Sequence, residues 1–300
     1  MNQTQPRAAV GNPFDPDDDR AYAAWKEDKL GHYPTRLDEL VVELADPRNL
    51  SPAEHQAILA RCRKANMAIY AGPGNDAADK AIPRELGRRF GLERLDGNLG
   101  ADDDGVTALQ VADDPLHRRY IPYSDRPIQW HTDGYYNTPQ QQIRGMVLHC
   151  ARPASGGGEN ALLDPEIAYI VLRDQDPDYI RALMAVDAMT IPANVADGEQ
   201  IRPTISGPVF SVMPDGSLHM RYTARTRSIE WRSDPATQAA VRALEALLAA
   251  HSPFVFRATL QAGQGLICNN VLHDRSRIHD DPANPRLLYR LRYYDRMAGT

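Results

Sequence analysis

Within Trp130-His131-Thr132-Asp133-Gly134, a histidine and an aspartate stand two residues apart. On a β-strand, positions i and i+2 face the same side, so an imidazole and a carboxylate at this spacing can converge on one metal ion. The pair alone says little. Nine histidines and forty acidic residues among 300 make roughly one such pair expected by chance. A second does occur, His279-Asp280-Asp281, in a polar loop. The bland alternative for either is a hydrogen-bonded histidine on a solvated face. A downstream histidine separates the two. Two imidazoles and one carboxylate make a facial triad that leaves three coordination positions open for oxygen and a chelating cosubstrate. His273, in GQGLICNNVLHDR, can complete that set with His131 and Asp133, whereas no histidine follows His279.

Thirteen residues beyond His273 stands Arg286, in Asn-Pro-Arg-Leu-Leu-Tyr-Arg290. An arginine fork pairs naturally with a carboxylate. The even separation of Arg286 and Arg290 puts both on one face of a strand. On so apolar a run, each needs an anion or a salt-bridge partner, and a pair of structural salt bridges is the plain alternative.

The elements that must position these residues are short. Ser51-Pro52-Ala53-Glu54 reads as a helix start, with a serine cap and proline in the first turn. Met67–Tyr70 reads as a strand and residues 83–91 as a short helix. Residues 1–30 read as a loosely ordered N-terminal arm, 31–114 as a helix-rich part and 115–300 as a strand-rich core, all in one domain spanning 1–300. The β-type runs are 146–150, 209–213, 218–222, 254–260, 266–268 and 287–294. Pro214-Asp-Gly216 supplies a hairpin turn between two of them. Helices starting at Pro165 and Pro235, each after an aspartate cap, interrupt the strands. The pattern predicts a mainly β protein with surrounding helices, a sandwich or jelly roll.

Composition excludes several classes. With 42% hydrophobic and 25% charged residues and a formal charge of −6, the chain is globular and a poor partner for nucleic acid or an anionic membrane. Three scattered cysteines with no CxxC pair argue against a thiolate zinc site or a disulfide framework. No apolar run approaches a bilayer span and the N-terminal stretch lacks signal-peptide order, so a cytoplasmic protein is expected.

HTD, then NNVLH, then R-x3-R in this order resembles the TauD/TfdA family of iron(II)- and 2-oxoglutarate-dependent dioxygenases, related to clavaminate synthase. The likeness covers most of the chain, including ILARCRKANMAIYAGP near the start and SGGGENALLD (155–164). It implies a double-stranded β-helix (jelly-roll) core, with His131, Asp133 and His273 as iron ligands. It implies that Arg286 holds the distal carboxylate of 2-oxoglutarate, with Asn160 where relatives often have threonine. Arg290 matches a position that in some relatives meets an anionic group of the primary substrate. The implied cofactors are Fe(II), 2-oxoglutarate as cosubstrate and O2, and relatives are often dimers or tetramers.

The expected reaction is hydroxylation of a small anionic or amino-acid-like substrate, with release of succinate and CO2. Desaturation, cyclisation, or a cupin-like metal enzyme that does not use 2-oxoglutarate are the alternatives. Tyr135, Tyr136, Asn137 and Arg225 are candidate substrate contacts, with Tyr123, Trp130 and Arg227 further candidates for the mouth of the site.

Overall fold

The computed structural model of the protein describes residues 11–97, 105–111, 121–196, 198–225 and 229–300. Six α-helices lie among them: α1 (Asp19–Gly31), α2 (Pro52–Ala65), α3 (Ala81–Arg89), α4 (Pro165–Gln175), α5 (Pro177–Leu183) and α6 (Pro235–Ala249). Four of these start at a proline directly after Ser51, Asp164, Asp176 or Asp234. Each of those side chains accepts a hydrogen bond from a first-turn amide, satisfying donors that a helix start leaves free. At Ser51 the cap is reciprocal, because the Glu54 carboxylate accepts from the Ser51 N–H at 2.7 Å.

Ten strands build the two main sheets. In chain order they are β1 (Val41–Glu43), β2 (Met67–Ala71), β3 (Thr107–Leu109), β4 (Ile128–His131), β5 (Gly145–Arg152), β6 (Asn160–Leu163), β7 (Phe256–Ala258), β8 (Gln264–Cys268), β9 (Leu272–Arg275) and β10 (Leu287–Tyr293). One sheet has the order β1-β2-β8-β5-β10-β3, the other β7-β6-β9-β4. Their inner faces share one core: Ile69, Leu148 and Leu266 from the first meet Leu162, Phe256 and Leu272 from the second. The outer face of the larger sheet, with Tyr70, Val147, Ile267 and Leu291, buries Ile58 and Cys62 of α2 and Leu86 of α3. Each expected β-run falls on a strand. Phe210–Val212 and Leu218–Met220 pair antiparallel across the expected turn, where Gly216 takes φ +82.

The last strand carries the chemistry on one side. In β10, Leu288, Arg290 and Arg292 lie opposite Cys150, Leu148 and Met146 of β5, which face the space between the sheets. Tyr289, Leu291 and Tyr293 point the other way. The shift in pairing between Leu287 and Leu288 skips Ala151 of β5, so the extra residue sits in β5 and β10 keeps its alternation. Arg286 and Arg290 therefore share a face, as their spacing predicts.

The N-terminal stretch corrects an expectation. Residues 19–31 are the helix α1, not part of a loose arm. Tyr22 and Lys29 are buried in it, and Phe14 and Trp25 place their rings edge-on to Tyr169 of α4 at 5.5 and 6.5 Å. Lys29 Nζ lies 2.7 Å from the fully buried Asp164 carboxylate and also bonds Glu166. The high charge density of DRAYAAWKEDKLG hides this apolar side. Residues 1–10 and the expected boundary at 114/115 lie outside the described residues. No described helix is long and apolar enough to cross a membrane.

Candidate metal centre and its surroundings

β4 and β9 are antiparallel neighbours, and His131 stands directly opposite His273. The two ring centroids are 4.2 Å apart. Each Nδ1 lies 2.9 Å from the carbonyl oxygen two residues earlier, that of Gln129 for His131 and that of Val271 for His273. A carbonyl can only accept, so each Nδ1 is the donor, and in the neutral ring this tautomer leaves the Nε2 lone pair for a metal. Such a second hydrogen bond fixes ring orientation in metal-ligating histidines.

Asp133 arrives by a different route from the one its spacing predicts. β4 ends at His131, so the strand pleat does not aim the carboxylate. Asn270, just before β9, holds the turn instead. Its Oδ1 accepts from the Asp133 N–H at 2.8 Å, while its Nδ2 donates to the carbonyls of Asp133 at 2.9 Å and Ile143 at 2.7 Å. Asn270 takes φ +51, a left-handed conformation asparagine tolerates better than most residues. Gly134 follows at φ +68, and a Cβ there would fall 2.4 Å from Ile143 Cγ1.

One ligand atom each from His131, Asp133 and His273 lies within 4.8 Å of the others. Asp133 Oδ2 is buried with no hydrogen-bond partner, a costly state for a carboxylate oxygen unless a cation meets it. Two neutral imidazole nitrogens and one carboxylate suit a divalent first-row metal. The electrostatics agree. Burial, then the neighbouring His273, pulls His131 down to about 3, so it stays neutral and able to ligate. Burial pushes the Asp133 carboxyl up, but Arg290, Arg292 and the two imidazoles outweigh it and hold the group well below the usual carboxylate range.

Arg290 lies where this balance is set. Its Nη1 donates to Asp133 Oδ1 at 3.2 Å, so this guanidinium is engaged by the candidate ligand. Arg292 sits behind it, bonding Asp96 and donating to the Tyr136 hydroxyl at 2.8 Å. Arg286 is 5% exposed. Its guanidinium forms no hydrogen bond or close salt bridge among the described residues; Asp280, which accepts from the Arg286 N–H at 2.7 Å, is the acidic group that acts on it. Burial lowers its pKa. It lines a recess with Gly158, Asn160, Thr259 and Leu260, which continues between the sheets past Leu162 and Leu266. Asn160 faces that recess and donates from Nδ2 to the Asp274 carbonyl at 2.7 Å, which leaves its second Nδ2 hydrogen and its oxygen for a ligand.

The remaining candidates divide. Tyr135 and Tyr136 pack edge to face at 5.1 Å, and Tyr136 reaches the cluster through Arg292. Asn137 closes its own loop on the Gln141 carbonyl at 2.8 Å. Arg225 is exposed and Trp130 half-buried; Tyr123 is buried in the core. Arg227 lies outside the described residues. Sequence reasoning gave no role to Asn270, Asp96 and Arg292. For Asn270 a signal existed, since asparagine at a strand end often marks positive φ; for the other two there was none.

A family model described as "Taurine catabolism dioxygenase TauD, TfdA family" matches residues 35–292. A uridine-5'-phosphate dioxygenase from Amycolatopsis sp. is 31% identical over 276 residues, covering 86% of this chain and 97% of that protein. A second uridine-5'-phosphate dioxygenase, from Streptomyces sp., is 34% identical over 170 residues, 54% of this chain and 59% of that protein. Among solved structures, asparagine oxygenase in complex with Fe(II), a hydroxyasparagine and succinate is similar at TM-score 0.55 and 14% identity, covering 83% of this chain and 86% of its own.

Proposed function

Because this chain belongs to the TauD/TfdA family, and is thus an iron(II)- and 2-oxoglutarate-dependent dioxygenase, we propose that it oxidises a nucleoside 5'-phosphate, uridine 5'-phosphate first among them. The observation that carries the metal chemistry is the Asp133 oxygen, buried without a donor beside two imidazoles whose Nε2 atoms are free. The substrate class is supported by the 31% identity to a uridine-5'-phosphate dioxygenase over 97% of its length. A nucleoside 5'-phosphate falls within the small anionic class expected from the sequence and narrows it away from an amino-acid-like substrate. Family membership also removes the cupin-like alternative.

In this reading the two sheets form a double-stranded β-helix, and His131, Asp133 and His273 hold iron at its mouth. Bound there, iron would supply the site for dioxygen activation, with 2-oxoglutarate as the two-electron co-reductant that leaves as succinate and CO2. Arg286 binds the distal carboxylate of 2-oxoglutarate in the recess, with Asn160 beside it. Arg290 keeps Asp133 ionised and oriented, while Asn270 fixes the backbone that carries it. The apolar walls from Leu148, Leu162 and Leu266 exclude water from the cosubstrate.

The test is succinate formation by the iron-loaded protein with a panel of nucleoside 5'-phosphates. Stimulation by uridine 5'-phosphate supports the proposal; no stimulation by any nucleotide overturns it. Product mass distinguishes oxygen insertion from loss of two hydrogens or ring closure.

A further inference from the structure

Near Asp133, two arginines have settled partners: Arg290 donates to the carboxylate itself and Arg292 bonds Asp96 and Tyr136. Arg202 is different. It ends the short strand Glu199–Arg202 and has no carboxylate partner among the described residues. Its Nη2 donates to the Pro192 carbonyl at 2.9 Å, but its Nη1 is buried with no hydrogen-bond partner.

The position of this guanidinium is set by Tyr136, three residues beyond Asp133. The Arg202 Cζ lies 5.7 Å from the centre of the Tyr136 ring, and the Arg292 Cζ lies 5.8 Å from it. The Tyr136 hydroxyl accepts from Arg292, whose Nη1 comes within 4.0 Å of Asp133 Oδ1. Arg202 is thus stacked on the segment that leaves the metal cluster, with one donor unspent. Burial lowers its pKa, opposed only by Tyr135 and Tyr136. A buried cationic donor without an acceptor is costly unless a ligand supplies one, and a phosphate monoester offers several acceptor oxygens in a geometry that the arginine fork matches.

We propose that Arg202 binds the 5'-phosphate of the substrate and makes the enzyme prefer a nucleotide over the corresponding nucleoside. This rests on the nucleotide reading above and adds the residue that reads the phosphate. Tyr136 holds the guanidinium in place, and Arg290, expected at the substrate's anionic group, spends its Nη1 on Asp133.

The experiment is equilibrium titration of the iron- and 2-oxoglutarate-loaded protein without oxygen, using uridine 5'-phosphate, the adenosine, guanosine and cytidine 5'-phosphates, uridine and inorganic phosphate in parallel. Wild type, Arg202→Gln and Arg202→Lys are compared, with equal melting temperatures as the check on folding. The expected result is uridine 5'-phosphate affinity weakened about tenfold or more in Arg202→Gln, less in Arg202→Lys, and uridine affinity unmoved. Inorganic phosphate alone should bind weakly and lose that binding in Arg202→Gln. Equal affinity of wild type and Arg202→Gln for uridine 5'-phosphate overturns the proposal while leaving the nucleotide reading intact. Binding of other nucleoside 5'-phosphates through Arg202, with none of uridine 5'-phosphate, keeps the phosphate contact and overturns the uridine assignment. No binding of any phosphate compound overturns both.

Discussion

His131 and His273 face each other across β4 and β9, and each ties its Nδ1 to the carbonyl two residues before it. The two strands thus present a pair of Nε2 lone pairs already oriented, and Asp133 needs only a turn to join them. Replacing either histidine with alanine should lower divalent-metal affinity by at least about a hundredfold and abolish succinate formation. Metal titration of the purified variants checks this. Retained stoichiometric binding in both would remove these residues as ligands.

Arg286→Gln should raise the 2-oxoglutarate concentration needed for half-maximal turnover by about ten- to a hundredfold, the scale of a lost charge-assisted pair. Metal affinity without cosubstrate should hardly change, because Arg286 serves the recess and not the triad. Cosubstrate titration beside metal titration separates the two effects.

Asn270 permits a cleaner separation. Asn270→Gly keeps the φ of +51 accessible but removes the amide that bonds both sides of Asp133, whereas Asn270→Ala also strains the backbone. Glycine should cost roughly 1–3 kcal/mol of stability through unsatisfied buried groups, with alanine about 1 kcal/mol worse. Both should weaken metal binding about tenfold. Urea unfolding and metal titration read these out, and a glycine variant with wild-type metal affinity would show that Asp133 needs no clamp.

Gly134→Ala tests the same turn from the other side. Its Cβ would meet Ile143 Cγ1 at 2.4 Å and sit at φ +68. The expected loss is about 2–4 kcal/mol, seen as a lower urea midpoint. Gly216→Ala also has a positive φ but meets no atom within 4 Å, so it should cost only about 1 kcal/mol.

Acid should weaken the metal-free fold before the carboxylates titrate. Burial pulls His149 down to about 4, and burial with neighbouring charges pulls His131 and His219 down to about 3. An unfolded histidine titrates near 6.5. Between that pH and about 4 the unfolded chain therefore binds protons that the native chain refuses, and stability falls as pH falls through this window. His149 alone should account for a loss on the order of 3 kcal/mol. Urea midpoints at about pH 7 and about pH 4.5 measure it, and His149→Phe should flatten the slope.

What the sequence discloses about this protein follows period and spacing. The proline-marked helix starts and the shared face of Arg286 and Arg290 are readable because they depend on local geometry. The clustering of His131, Asp133 and His273 is readable from residue types and order, not from the pleat, since a turn held by Asn270 delivers Asp133. Asn270 is visible only as part of the NNVLH run, because its grip on Asp133 joins positions 137 apart. Arg292 and Asp96 meet across 196 positions, and Arg202 meets the Tyr136 ring only in the fold. The helix α1 escaped notice for a different reason. Its buried side is built from Tyr22, Trp25 and the stem of Lys29, and the charge of that lysine is answered by Asp164 far along the chain.

β10 sits between β5 and β3 in the larger sheet, yet it leaves the ribosome long after β5. Until it arrives, β5 presents a bare edge flanked by Val147, Leu148 and Cys150, the kind of edge that recruits other chains. The nascent polypeptide must keep that slot open while more than a hundred residues are added. A variant that weakens β10 would lengthen the life of that bare edge, and aggregation would take part of its yield in addition to any loss at the site.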